Sequence, residues 1–131
     1  MNPRASNTPI DARFDKAKRL LNAAHYSKVF EENDARASHR HLLLLGRCNQ
    51  GEHNRLGLVV AKKHVRLAVQ RNRIKRLARE VFRKLPSQPP TLDVVLLARK
   101  GIAELDNEEL SSILLQQWQK LQKQIAKNRS D

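Results

Sequence analysis

Apolar residues recur at two different periods along the chain, and the longest regular pattern lies in residues 68–85. Within that segment they fall at intervals of three and four and form one stripe: Ile74, Leu77, Ala78, Val81 and Leu85. A period of about 3.6 residues places such side chains on one face of a helix. The pattern therefore predicts an amphipathic helix over 68–85 whose apolar face packs against a core.

A second helix is predicted near the start of the chain. Asp11 can cap a helix that begins at about Ala12. The apolar residues that follow it at helical spacing are Phe14, Ala17, Leu20, Leu21 and Ala24. A short turn that carries Tyr26 and Phe30 continues this helix.

A third helix is predicted at the other end of the chain. Asp106 and Glu109 have the three-residue spacing of a capping box, which marks a helix start. One face of the helix then consists of Leu110, Ile113, Leu114, Gln117, Leu121 and Ile125. Trp118 lies next to this stripe, and we expect it to pack rather than to bind a ligand.

Three segments have the apolar and β-branched composition of strands, namely 41–47, 55–61 and 92–98. The first two are separated by a polar tract and are expected to form a hairpin. The third contains an uninterrupted apolar run, 94–98, which predicts burial on both faces. The element order α, β, β, α, β, α indicates an α+β sandwich of one sheet and packed helices.

The length of 131 residues fits one domain, with a core over 11–125 and disordered tails at 1–10 and 126–131. The longest apolar run, 94–98, is far shorter than the roughly 20 residues of a membrane-spanning helix. The polar N-terminus lacks the apolar stretch of a secretory signal, and Cys48 has no second cysteine to pair with. These features predict a cytoplasmic protein.

The charge of the chain points to its partner. Lysine and arginine number 26 against 13 acids, which gives a formal net charge of +13. Such a surface attracts polyanions, with nucleic acid as the leading candidate and an anionic membrane as the alternative. Ten of the basic residues fall in 62–84, together with a single acid, Glu80.

The predicted helix over 68–85 concentrates these cations. Arg71, Lys75 and Arg79 are spaced by four and share one ridge, while Arg73, Arg76 and Arg83 flank the apolar stripe. Like charges at this spacing repel one another, and bound phosphates would reverse that cost. The planar fork of arginine suits phosphate contact in particular. We therefore predict that this helix face binds nucleic acid.

The same segment carries a family resemblance. Residues 67–80, LAVQRNRIKRLARE, resemble the signature helix of the bacterial ribonuclease P protein subunit, with Arg71-Asn72-Arg73 followed by Lys75-Arg76 and Arg79 at the expected spacing. The preceding GLVVAKK at 57–63 is also similar to the family. The resemblance extends from about Phe14 to the terminal helix.

The resemblance implies both a function and a fold. In this family the catalyst is the RNA subunit with its Mg²⁺, which removes the 5′ leader from precursor tRNA, while the protein binds the leader and steadies the active RNA. The implied fold is α-β-β-β-α-β-α with a left-handed βαβ crossover. It contains one strand more than the sequence pattern shows, and we expect that strand within about 38–62.

The resemblance also implies which residues contact RNA. Tyr26 and Phe30 match the aromatic positions of the leader-binding cleft, where rings stack on unpaired bases; core packing is the alternative for both. Lys62, Lys63 and Arg66 are expected to face phosphate or the catalytic RNA. Asn72 is an RNA contact or a locally satisfied polar residue at the helix start.

Protein-based catalysis is not expected. The five histidines, His25, His39, His41, His53 and His64, lack zinc-ligand spacing, and His39 and His41 are expected on a strand face. No carboxylate cluster suited to two-metal hydrolysis is visible, so no catalytic or metal-binding residue is predicted in the protein. The competing hypothesis is a structural RNA-binding protein of the ribosomal type. A helix-turn-helix protein is disfavoured because a strand precedes the basic helix.

Overall fold

The computed structural model describes residues 19–20, 22–51, 53–85 and 90–130. In these ranges the order of elements is α1 (Ala23–Glu32), β1 (Ala35–Ser38), β2 (Leu42–Cys48), β3 (Arg55–Val59), α2 (Ala68–Arg83), β4 (Leu92–Ala98) and α3 (Asn107–Ser130), with a 3-10 turn at Ile102–Glu104. The predicted α+β class and the order α-β-β-β-α-β-α are confirmed.

The four strands form one mixed sheet in the order β1-β2-β4-β3. β2 is antiparallel to both β1 and β4, while β3 and β4 run parallel as neighbours. Helix α2 therefore connects two adjacent parallel strands. The predicted hairpin between 41–47 and 55–61 is wrong, because β4 lies between β2 and β3. An alternating or apolar pattern indicates which strands are buried, but it does not specify their neighbours.

The strand that the sequence pattern did not show is β1, just before the window in which it was expected. It has only four residues, and its buried side chains are the small Ala35 and Ala37, which alternate with exposed Arg36 and Ser38. β1 forms the hairpin with β2, so His39 and His41 lie at the turn between these strands and not on a strand face.

Both faces of the sheet are covered. On one face the buried residues of α2 and α3 pack against alternate strand residues such as Leu44 and Leu96. On the other face Val29 of α1 packs against Leu45 and Val95. Because helices cover both faces of the sheet, β4 is buried along nearly its whole length. Trp118 is a packing residue, as predicted: it is buried and its ring meets that of Phe82 edge-on, with centroids 5.4 Å apart.

Helix α1 begins later than the sequence predicts. Asn22 caps it, since the side-chain Oδ1 accepts a hydrogen bond from His25 N at 3.0 Å. Leu20 is not helical: its N–H donates to Leu56 O at 3.1 Å, and residues 19–20 run along the outer side of β3. The predicted continuity from Ala12 through Tyr26 is therefore broken at this point. Residues 1–18, which include the predicted tail and helix start, lie outside the described ranges.

Helix α3 begins as predicted. Glu109 N donates to Asp106 Oδ1 at 2.8 Å and Asp106 N donates to Glu109 Oε1 at 2.9 Å, which completes the capping box. The helix continues through residues 126–130, where the sequence predicts a disordered tail, and Asn128 Nδ2 donates to Asp34 O at 3.0 Å. None of the helices in the described ranges has the length and apolarity needed to cross a bilayer.

Candidate nucleic-acid interface

The outer face of α2 carries a row of cations, of which Arg76 is exposed and Lys75, Arg79 and Arg83 are half-buried. Ile74, Ala78 and Phe82 are buried in the core and fix the rotation of the helix. The opposite face lines a groove of about 290 Å³ formed by Asn72, Lys75, Arg76, Arg79, Glu80 and Arg83. Four residues predicted as RNA contacts, Asn72, Lys75, Arg76 and Arg79, are thus brought together. Arg83 joins them, as its position four residues after Arg79 could have indicated.

The single acid of this groove does not cancel its charge. Glu80 pairs with Arg83 and also lies 3.7 Å from Lys84 Nζ, and the hydrogen bond from Arg83 holds the pKa of Glu80 below its usual range. Among the described residues no carboxylate lies within ion-pair distance of Lys75, Arg76 or Arg79. The groove therefore presents positive charge without a counter-ion from the described protein, which suits a polyanion.

Two of the predicted contact residues, Arg71 and Arg73, make hydrogen bonds within the protein. Arg73 makes four hydrogen bonds: its guanidinium donates to Gln70 Oε1, to Asn107 Oδ1 and to the carbonyls of Ala103 and Leu105. These bonds join α2 to the 3-10 turn and to the start of α3. Arg71 Nη1 donates to the carbonyls of Val65 and Arg66 at 3.0 and 2.9 Å. This contact fixes the loop that leads into α2.

A small cleft lies where α1, α2 and the edge of β3 meet. Its cavity, of about 90 Å³, is lined by Tyr26 together with Lys75, Arg79 and Arg19 and by leucines of the strand edge. Burial, and then the nearby positive charge of Arg19, lowers the pKa of Arg79. A partly desolvated guanidinium beside a second cation is a favourable site for an anion. Arg19 was not predicted, because only the fold brings residue 19 next to α2.

Tyr26 is held firmly in this cleft. Its hydroxyl oxygen accepts a hydrogen bond from Leu58 N at 3.1 Å. Its ring lies against the backbone of Gly57, where a Cβ atom would stand only 2.7 Å from the ring. Tyr26 is half-buried and packs against the smaller apolar cluster, so the predicted alternative of core packing describes part of its surface.

Phe30 has a different environment from Tyr26. It follows Tyr26 by four residues, on the same side of α1. The neighbouring Val29 anchors the helix in the core, while Phe30 is 41% exposed. Part of the Phe30 surface is therefore accessible to a ligand.

The loop between β3 and α2 presents the remaining predicted residues. His64 N and Val65 N both donate to Ala61 O at 3.0 Å, and the side chain of Val65 is buried. This anchored turn leaves Lys62, Lys63 and Arg66 exposed. The three cations extend the positive surface from α2 toward the end of the sheet.

The buried acid of the sheet has a structural role. Asp93, buried on β4, accepts hydrogen bonds from Arg55 at 2.6 and 2.7 Å and from Asn49 at 2.7 Å. No group of three or more histidines, cysteines and carboxylates in the described part of the chain is arranged to hold a metal ion.

A rigid basic helix beside an aromatic cleft, on a small α+β domain, defines a class of RNA-binding protein. A model of the Ribonuclease P family matches residues 14–122, and the chain belongs to this family. Membership of this family assigns the chain to tRNA processing. The ribonuclease P protein component of Pseudomonas paraeruginosa is 49% identical over 120 residues, which cover 92% of this chain and 86% of the relative. That of Proteus mirabilis is 48% identical over 111 residues, with 85% and 92% covered.

Solved structures of the family share the fold. The RNase P protein of Staphylococcus aureus superposes with a TM-score of 0.69 at 27% identity, over 86% of this chain and 97% of that protein. The RNase P protein of Thermotoga maritima gives 0.66 at 29% identity, over 75% and 94%. The resemblance to the ribonuclease P family is confirmed, and a structural protein of the ribosome is not favoured.

Proposed function

We propose that this chain assists the catalytic RNA of ribonuclease P by binding the 5′ leader of precursor tRNA and by stabilising the active conformation of the RNA. The observation that supports leader binding most directly is the shared cleft of Tyr26, Lys75 and Arg79. An aromatic ring and three cations, Arg19, Lys75 and Arg79, within one cavity match the two parts of a nucleotide, a base and a phosphate.

The cleft suits single-stranded RNA of variable sequence. Stacking of a base on an aromatic ring contributes about 1–3 kcal/mol and makes little sequence demand. Phe30 offers an exposed ring one helical turn from Tyr26 and extends the stacking surface along α1. Lys75 and Arg79 then bind the leader phosphates. Leaders that differ in sequence share these bases and phosphates.

The exposed cations outside the cleft serve the catalytic RNA in this proposal. They are Lys62, Lys63, Arg66 and Arg76, with Asn72 as a neutral hydrogen-bonding partner. Arg71 and Arg73 contribute indirectly, because their bonds to protein carbonyls hold α2 and its preceding loop in place. The segment 67–80, which resembles the signature helix of the family, then combines residues that bind RNA with residues that orient the helix.

The chemistry belongs to the RNA subunit in this proposal. Mg²⁺, bound mainly by that RNA, supports hydrolysis of the phosphodiester, and the products are the leader and a mature tRNA with a 5′-phosphate. The protein supplies positive charge that offsets phosphate repulsion between the two RNAs. The ribonucleoprotein acts as an endoribonuclease in the cytoplasm.

Reconstitution with a bacterial ribonuclease P RNA and a precursor tRNA tests the proposal. At low Mg²⁺ the chain should strongly raise cleavage by the RNA, while RNA-free protein should leave the precursor intact. The double variant K75A/R79A should lose most of the stimulation, whereas K28A, which removes an exposed lysine paired with Glu32, should retain it. Metal-dependent cleavage by RNA-free protein, or full stimulation by K75A/R79A, would overturn the proposal.

A further inference from the structure

A second group of cations lies at the end of the sheet, around the β1–β2 turn. Leu42, the first residue of β2, pairs with Ala98, the last residue of β4, so the turn and the residues after β4 lie side by side. Lys120 of α3 is a close electrostatic neighbour of His39. We call His39, Arg40, His41, Arg99 and Lys120 the turn cluster.

The turn cluster is held rigidly. His39 N donates to Leu42 O at 2.8 Å, which closes the turn. The Arg99 guanidinium donates to Ser38 Oγ at 2.9 Å and to His39 O at 2.8 Å, and Arg99 N donates to His41 O at 3.0 Å. Arg99 thus acts as a brace, while Arg40 and Lys120 extend into solvent. The backbone of the turn is therefore fixed before any ligand binds.

No acid offsets this charge within the described residues. None of the ion pairs found there involves Arg40, Arg99 or Lys120. The charged neighbours of His39 are all basic, namely Arg40, His41, Arg99 and Lys120. Asp34 and Asp93 lie at the opposite end of the sheet, beside Cys48 and Arg55. The two ends therefore differ in charge, and the turn cluster lacks a counter-charge from the described protein.

We propose that the turn cluster is a second RNA-binding surface, which binds backbone phosphates away from the α2 groove. RNA fits better than a membrane at this cluster. Membrane-surface binding combines cations with inserted apolar side chains. Among the described residues, the exposed large apolar side chains are Phe30, Leu67, Val69 and Leu115, and none of them belongs to the cluster. The inference rests on the proposed function only in taking RNA as the partner. Two separate surfaces let one chain hold two segments of RNA.

His39 makes this surface sensitive to pH. Its Nδ1 accepts a hydrogen bond from His41 N at 3.1 Å, so the neutral ring is the form that fits the free protein. Burial, and then His41, Lys120, Arg40 and Arg99, lowers the pKa of His39 below its ordinary value of 6.5. A phosphate at the cluster favours the protonated ring and raises that pKa. RNA binding is then coupled to proton uptake, and affinity increases as the pH falls.

The double variant R40A/K120A tests the surface against a matched control. K28A/K84A removes the same charge from two exposed lysines that lie beside Glu32 and Glu80. Binding to a bacterial ribonuclease P RNA and to a precursor tRNA is measured over a range of KCl concentrations. For at least one of the two RNAs, R40A/K120A should reduce the slope of log affinity against log salt by about 1.5, at roughly 0.7–0.9 per lost contact. The control should change it little.

Three results decide the matter. Equal slopes for R40A/K120A and K28A/K84A with both RNAs would overturn the second surface, because only net charge would then count. If K75A/R79A, in the cleft, reduces affinity for precursor tRNA while R40A/K120A changes the affinity for neither RNA, this inference fails and the proposed function stands. If neither variant reduces affinity, both fail.

The variant H39N tests the pH coupling. Asparagine keeps an acceptor oxygen near the position of Nδ1 but does not titrate. Between pH 7.5 and 5.5 the wild-type affinity should rise more than that of H39N, by at most about tenfold for each unit by which RNA raises the pKa of His39. An identical pH dependence of the two proteins would exclude His39 as the coupled group.

Discussion

The hydroxyl of Tyr26 supplies a hydrogen-bond partner that strand β3 would otherwise lack on its outer side. β3 is an edge strand, and edge strands present unpaired N–H and C=O groups. The Tyr26 oxygen accepts from Leu58 N, while Leu20 N donates to Leu56 O. The family resemblance predicts that Tyr26 belongs to the leader-binding cleft. The role of the hydroxyl could not be predicted, because Leu58 is 32 residues away in sequence.

The substitution Y26F separates the two roles of this side chain. It keeps the ring and removes the acceptor, so Leu58 N–H loses its partner. We expect the free energy of unfolding to fall by about 1 kcal/mol, while affinity for precursor tRNA changes less than twofold because stacking is retained. Urea denaturation and a binding titration measure the two quantities. A wild-type stability would show that the hydroxyl bond contributes nothing.

Phe30 differs from Tyr26, since 41% of its surface is exposed. F30A should change stability little and should weaken binding of precursor tRNA by about 1–3 kcal/mol, the contribution of one stacked base. Mature tRNA, which has no leader, should bind F30A and wild type alike. An equal loss for both tRNAs would place Phe30 outside the leader site.

At the scale of elements, the sequence predicts best where periodicity and capping agree. Strand β4 matches its predicted bounds of 92–98, α2 ends two residues before the predicted 85, and α3 starts after the predicted cap Asp106. β1 escapes prediction because its buried residues are alanines and its length is four. The pairing of β3 with β4 also escapes, because it depends on contacts between distant segments rather than on local pattern.

The candidate site shows the same division. The exposed face of α2 follows from its apolar stripe, since the cations opposite the stripe must face solvent. The inward bonds of Arg73 do not follow, because its partners Ala103, Leu105 and Asn107 are about 30 residues away. Sequence therefore predicts that α2 is basic, and the fold determines which of its arginines are free to bind.

The orientation of α2 depends on Arg73. In R73A the carbonyls of Ala103 and Leu105 and the amide oxygens of Gln70 and Asn107 lose their donor, and we expect a loss of about 1–3 kcal/mol in the free energy of unfolding. Arg76 makes none of these four hydrogen bonds and is exposed to solvent. The free energy of unfolding of R76A should therefore stay within about 0.5 kcal/mol of wild type. Chemical denaturation of the two variants gives the comparison. Equal stabilities would refute the role of Arg73 as a brace.

At the scale of the whole molecule, the fold gathers charge that the sequence spreads over many segments. The α2 groove, the loop at 62–66 and the turn cluster are basic, whereas the acids Glu32, Glu80 and Asp93 are each paired with a cation. These basic surfaces lack counter-ions from the described residues, and the whole chain has a net charge of +13. Repulsion among these cations opposes the folded state and is relieved when an anion binds.

This repulsion predicts that salt stabilises the free protein. Raising the ionic strength from about 10 to 150 mM shortens the Debye length from roughly 30 to 8 Å, which screens the repulsion between separate basic surfaces. The opposing effect is small, because exposed pairs such as Lys28–Glu32 contribute only about 0–1 kcal/mol and the pair of Arg55 with buried Asp93 is little screened. The melting temperature in KCl should therefore rise, by about 3–5 °C for each kcal/mol relieved. K75A/R79A, with two fewer cations on α2, should show a smaller rise. A melting temperature that falls with salt would mean that ion pairs, and not the excess of positive charge, dominate the electrostatics of the fold.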